Sequence, residues 1–148
     1  MLFGSYLGNL SDKRRVAVPK KFKEELGERP ILAKWYEDCL ILVSSEFWEK
    51  LLGRLTGGSR VASLAARDIE RFILGSAYEL EPDGQGRVVI PEILAEYAKF
   101  KESLIFVGLG DRVEIWPKEV WDQKSQELAK VTKEQIEELA KNERTNKT

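Results

Sequence analysis

The chain has 148 residues, 43% apolar and 33% charged, with no run near the roughly 20 apolar residues of a membrane span, so no membrane partner is expected. It contains no histidine, which removes histidine acid–base catalysis, the commonest zinc ligand and any Ser-His or Cys-His nucleophile. Net charge is −1, with 24 Lys and Arg against 25 Asp and Glu, so composition alone argues neither for nor against nucleic acid. Cys39, the single cysteine, cannot form an internal disulfide and sits beside an apolar run as a small core hydrophobe. The start, Met1-Leu2-Phe3-Gly4, lacks the basic segment of a signal peptide. These features together predict a cytoplasmic binding protein, not an enzyme, with no cofactor and no metal.

Residues 1–23 carry Lys13, Arg14, Arg15, Lys20, Lys21 and Lys23 against Asp12 alone, a surplus of +5, so the remainder sums to −6. A localised anion-binding face and a solvated loop both fit that surplus. A first strand carries Tyr6, and Ser11 to Arg14 forms a polar turn. A short strand then alternates Arg15 and Ala17 with Val16 and Val18, and Pro19 ends it and starts a helix. Strands Ile31 to Trp35 and Cys39 to Val43 follow, then a helix capped by Ser45. Leu55 to Gly58 is a breaker. From Ser59, the residues Val61, Leu64, Ala65, Ile69, Phe72 and Ile73 recur at helical spacing and predict an amphipathic linker helix to about Leu74.

The same string of elements then returns. Tyr78 lies on a strand, Asp83-Gly84-Gln85-Gly86 is a turn, and Arg87 to Ile90 is a short strand that ends at the helix-starting Pro91. Leu104 to Gly108 and Val113 to Trp116 form a hairpin turning through Gly108 to Asp111, and a helix starts near Lys118. In the tail from Asp122, Leu128, Val131, Ile136 and Leu139 predict a helix to about Lys141, with a frayed end from Asn142 to Thr148. Such a helix either packs on its own chain or joins subunits.

Laying Pro19 on Pro91, an offset of 72, matches Tyr6 with Tyr78, Arg15 with Arg87, Val16 with Val88 and Val18 with Ile90. At an offset of 73, Ile31-Leu32 matches Leu104-Ile105 and Glu46-Phe47-Trp48 matches Glu119-Val120-Trp121. Ordered matches over some 45 residues make this a tandem duplication.

Gly4-Ser5-Tyr6, Arg15-Val16-Ala17-Val18-Pro19, Glu70-Arg71-Phe72, the stretch from Asp83 to Pro91, and Arg112-Val113-Glu114-Ile115-Trp116 together resemble the MraZ family of bacterial regulators. The resemblance covers roughly residues 1–122. It implies a β-rich α+β fold of two tandem AbrB-like swapped-hairpin β-α-β modules forming a pseudo-twofold domain, with a linker helix and a C-terminal helix. The parts are residues 1–53, first repeat; 54–74, linker and amphipathic helix; 75–122, second repeat; and 123–148, C-terminal helix and frayed tail. It further implies a homo-oligomeric ring of several subunits that binds double-stranded DNA on the nucleoid. The expected target is short tandem G-rich repeats in the promoter of the division and cell-wall gene cluster.

The family signature is Asp-x-x-x-Arg in each repeat. The second copy has it as Asp83 and Arg87, whereas the first has Ser11 in the aspartate position and keeps Arg15. Either Asp12, one place late, takes over, or the first copy lacks the carboxylate. Arg14 stands where the second copy has Gly86, which predicts a less left-handed, more basic turn. A guanidinium held by a carboxylate on one edge presents donors to a phosphate or guanine on the other, although an isolated pair of this kind more often just pins its own turn. The recurrence of the arginine and the resemblance favour DNA contact by Arg15, Arg87, Asp83, Lys13, Arg14, Asp12 and Gln85. Trp35, Trp48, Trp116 and Trp121 read as packing residues rather than base-stacking platforms. The competing readings are an AbrB-like module of another regulator or of an antitoxin, and an enzyme using Asp83, Glu79 or Cys39, for which no motif speaks.

Overall fold

The computed structural model describes residues 1–58 and 63–146, in two compact units, Met1–Lys118 and the segment from Glu119 onward. In the first unit, β1 (Leu2–Asn9), β3 (Ile31–Lys34), β4 (Leu40–Val43), β5 (Tyr78–Glu79), β7 (Ser103–Gly110) and β8 (Val113–Pro117) form one antiparallel sheet in the order β1-β7-β8-β4-β3-β5. A separate ribbon pairs β2 (Arg15–Ala17) with β6 (Arg87–Val89). The helices of this unit are α1 (Lys20–Leu26), α2 (Ser45–Thr56), α3 (Leu64–Ile73) and α4 (Glu92–Tyr97). The result is the expected β-rich α+β fold.

The two halves exchange strands. The opening strand of each half pairs with the hairpin of the other, β1 on β7 and β5 on β3. The ribbon shows the duplication as symmetry. Arg15 pairs with Val89 and Ala17 with Arg87, and adding 72 to each residue of the first half exchanges these two pairs. The partners Leu40–Ile115 and Leu42–Val113 exchange in the same way at an offset of 73.

One core serves both halves. Val16, Val18, Phe22 and Leu26 pack with their counterparts Val88, Ile90, Leu94 and Ala98, and with Leu32, Leu42, Phe106 and Ile115 of the sheet. The apolar faces of the two halves cover each other, so both halves belong to the one unit Met1–Lys118. Phe22 and Leu26 are four apart on α1 and therefore lie on one stripe, directed inward from the turn set by Pro19.

Several expectations need correction. Leu32 pairs with Tyr78 as Phe106 pairs with Tyr6, so Leu32 corresponds to Phe106 at an offset of 74, and not to Ile105. Ser44, not Ser45, caps α2, accepting a hydrogen bond from the Phe47 N–H at 3.2 Å, and the helix runs through Leu55 to Thr56 before stopping at left-handed Gly57. Strand β3 ends before Trp35, and a 3₁₀ turn over Tyr36–Asp38 separates it from β4, leaving Cys39 between the two. Strand β7 continues to Gly110, so the second hairpin turns through Asp111 and Arg112.

Ser63 caps α3 through the Ala66 N–H, whereas the predicted start of this helix at Ser59 and Val61 lies outside the described residues. Helix α5 (Lys118–Asn146) is continuous, so the second half has no separate closing helix, and residues 142–146 are helical where fraying was expected. Lys147 and Thr148 lie outside the described residues. Leu128, Val131, Ile136 and Leu139 are exposed on α5. Trp35, Trp48 and Trp116 are buried, as packing residues are, and Trp121 is half-buried. Among the described residues no helix is long and apolar enough to cross a membrane.

Candidate nucleic-acid interface

The ribbon of β2 and β6 has a buried face and an outward face because side chains alternate along a strand. Val16 and Val88 pair directly and enter the core at 2% exposure each, which forces Arg15, Ala17, Arg87 and Val89 onto the other face. Arg15 and Arg87 therefore sit on one surface as diagonal neighbours, roughly 7–8 Å apart at the backbone. Within the ribbon, Ala17 and Val89 share that face with them. Both arginines come from the strand ends nearest their turns.

The second turn is built on Asp83. Its Oδ1 accepts hydrogen bonds from the backbone N–H of Gln85 at 2.9 Å and of Arg87 at 3.0 Å, while Oδ2 accepts from Arg87 Nε at 3.0 Å. The Arg87 N–H above all, then that of Gln85 and the guanidinium, hold this carboxyl below the usual aspartate range. The same carboxylate thus closes the turn and orients the arginine. With Nε–H engaged, the Nη donors of Arg87 remain for an outside acceptor.

The first turn has the same backbone with a different clamp. The Ser11 N–H bonds Arg15 O at 2.9 Å and the Arg14 N–H bonds Ser11 O at 2.9 Å, matching the Asp83–Arg87 and Gly86–Asp83 bonds of the second turn. Ser11 Oγ accepts from the Arg15 N–H at 3.0 Å, taking over one of the aspartate's two backbone bonds. It has no second oxygen for the guanidinium. Among the described residues, Asp12 forms no bond to Arg15, so it does not compensate, and the Arg15 head group is untethered. Lys13 is exposed.

Arg14 has φ 60, so the first turn is as left-handed as the second, where Gly86 has φ 77. The expectation of a less left-handed turn is therefore wrong. The Ile90 N–H bonds Arg14 O at 2.8 Å, and the Arg14 side chain returns Nε to Ile90 O at 3.0 Å, a pair of contacts that holds the backbone in place. In the other half the Val18 N–H bonds Gly86 O at 3.1 Å. The structure thus brings together Arg15, Arg87, Asp83 and Arg14, uses only the backbone of Gln85, and leaves Asp12 apart. Sequence reasoning missed Ser11 as the clamp; its position eight residues before Pro19, like Asp83 before Pro91, was the available signal.

Elsewhere the chemistry is sparse. Cys39 is fully buried, its thiol pushed far up by burial, with Glu114 adding to the effect, and Sγ lies 3.1 Å from Tyr36 O. Among the described residues no group of three or more His, Cys, Asp or Glu side chains is placed to share a metal.

A family model described as "MraZ protein, putative antitoxin-like" matches residues 73–144. The chain is 41% identical over 140 residues to the "Transcriptional regulator MraZ" of Caldanaerobacter subterraneus subsp. tengcongensis, covering 95% of this chain and 94% of the other. Proteins of the same name from a Thermoanaerobacter species and from Leuconostoc mesenteroides are 43% identical over 125 residues and 39% identical over 132 residues, respectively. These cover 84% and 87% of this chain, and 87% and 90% of the relatives.

Proposed function

The chain belongs to the MraZ family, and from that premise we propose that it is a transcriptional regulator that reads double-stranded DNA with the β2–β6 ribbon. The observation that carries this reading is the outward ribbon face, which presents Arg15 and Arg87 together, alongside Ala17 and Val89. A two-stranded ribbon fits the major groove, and the Nη edge of an oriented arginine matches guanine O6 and N7. That chemistry agrees with a G-rich target, here short repeats in the promoter of the division and cell-wall gene cluster. In this reading the two halves are AbrB-like swapped-hairpin modules, and the protein works on the cytoplasmic nucleoid.

One ribbon makes few contacts, so useful affinity needs several ribbons on one DNA. The sheet supports assembly of copies, because its two edges are β1 and β5 and its β1 end exposes Met1, Phe3 and Leu7, with Leu109 beside Phe3. We infer a homo-oligomer, closed into a ring. Light scattering should give one discrete multiple of the chain mass; monomer alone at micromolar concentration refutes assembly.

Titration of the promoter duplex against salt tests the function itself. Log K should fall with log salt by about 0.9 per phosphate contact. A flat response, or no binding at about 50 mM salt, overturns the DNA reading.

A further inference from the structure

The offset of 72 pairs Lys23 with Ala95 (23 + 72) and Arg14 with Gly86 (14 + 72), and in space these four residues form two matched sites. Helix α1 lines one groove with the second turn, and α4 lines the other with the first turn. The grooves enclose about 830 and 690 Å³, respectively.

In the first groove the end of Lys23 lies directly over Gly86. A β-carbon at Gly86 would stand 1.8 Å from Lys23 Nζ and 2.3 Å from Cε. No side chain fits there while the lysine holds its place. In the second groove the helix residue is Ala95, which is buried and short, and the cation comes from the turn as Arg14. Lys20 and Arg29 also line the first groove and Lys99 and Lys101 the second, but of the equivalent helix and turn positions each groove has one basic member, supplied by the helix in one half and by the turn in the other. A lysine and an arginine together would collide, and an alanine with a glycine would leave no charge.

Neither cation has an ion-pair partner among the described residues. Four acids line the Lys23 groove: Asp83 is engaged by Arg87 and Glu81 by Arg29 at 3.3 Å, while Glu24 and Glu28 are exposed on or just after α1. Both basic groups are half-buried and line grooves beside the turns, which Arg15 and Arg87 do not line. A cation at the flank of a ribbon in a groove meets the phosphate backbone, not the base edges.

We propose that Lys23 is the phosphate contact of the second half, the counterpart of Arg14, so that the reading ribbon is clamped to the DNA backbone at both turns. This rests on the DNA reading given above. The test uses the full chain on the promoter duplex and on a random duplex of equal length, titrated between about 50 and 300 mM salt. Lys23→Met keeps the aliphatic stem and removes the charge. It should weaken both duplexes equally and reduce the salt slope by about 0.9 per engaged copy, roughly eightfold in affinity at 0.1 M salt relative to 1 M. Lys23→Arg should keep the wild-type slope, and Lys23→Ala with Gly86→Arg, which rebuilds the Arg14 arrangement, should restore it. If Lys23→Met binds both duplexes with the wild-type slope, the proposal fails while the DNA reading stands. If the wild-type chain binds neither duplex, both fail. A folded double variant that keeps the Lys23→Met slope overturns the claim that the two cations are interchangeable.

Discussion

Replacing Arg87 by alanine tests the division of labour between the two turns. Arg87 gives its Nε–H to Asp83 at 3.0 Å, and Asp83 is itself held by two backbone N–H groups, so the guanidinium plane is fixed before DNA arrives. Arg15 is clamped only at its backbone, through Ser11. A fixed planar donor loses less side-chain freedom on pairing with guanine, whereas a mobile one suits a phosphate that can be met from many directions. Arg87→Ala should therefore lower the preference for the promoter repeat over random DNA by about 1–3 kcal/mol, roughly 5- to 150-fold, for each copy engaged. Arg15→Ala should weaken both duplexes alike and flatten the salt slope by about 0.9. Paired anisotropy titrations on the two duplexes separate these effects. The reasoning is refuted if Arg87→Ala leaves the promoter-to-random ratio unchanged while Arg15→Ala collapses it.

Gly108→Ala should destabilise the fold by about 1–3 kcal/mol in chemical denaturation, because its β-carbon would lie 2.6–2.8 Å from backbone atoms of Leu2 and Phe3, which cannot rotate away. Gly53→Ala, in α2 with open space around it, should instead stabilise by about 0.5–1 kcal/mol, and equal behaviour of the two variants would contradict the pairing of β1 with β7. At the left-handed position 14, Arg14→Ala should be less stable than Arg14→Gly by about 1 kcal/mol in thermal melts, and the reverse order would rule out φ 60 there. Asp83 has a lowered carboxyl pKa in the fold, so the stability it adds is present above its unfolded value and is lost as pH falls through the folded one. Acid unfolding of Asp83→Asn should accordingly lack that part of the wild-type pH dependence; superimposable acid limbs would show that Asp83 is not coupled to folding.

The fold was readable in the sequence wherever chemistry is punctuated. Pro19 and Pro91, the turn arginines and the alternation around Val16 and Val88 marked ribbon and helix starts correctly, because each has a strong local reason to be where it is. Register inside the apolar hairpins was not readable. Leu32 could match Ile105 or Phe106 equally well by hydrophobicity, and only the pairing of both with the tyrosine strands settles it. Helix ends slipped for a related reason. Ser44 and Ser45 are chemically identical caps, and Leu55 sits one residue before a Thr56 that still bonds Leu52 O within the helix.

The site was harder to read, because its parts come from both halves. Taken alone, the first turn looks like a degraded copy, with serine for aspartate and arginine for glycine. In the folded chain neither change is a loss of the same kind. Ser11 keeps the aspartate's bond to the arginine N–H and gives up its bonds to the second backbone N–H and to the guanidinium. Arg14 accepts the left-handed backbone that glycine would hold without strain, and its side chain bonds a carbonyl of the opposite half. Its counterpart Gly86 is bare because Lys23, 63 positions earlier in the chain, already fills the space above it. A motif scan compares each turn with a pattern, whereas the structure compares each turn with the helix it faces. On the reading proposed above, the departure at position 14 and the lysine at position 23 are two answers to one geometric requirement, a cation set against each turn by either the helix or the turn itself.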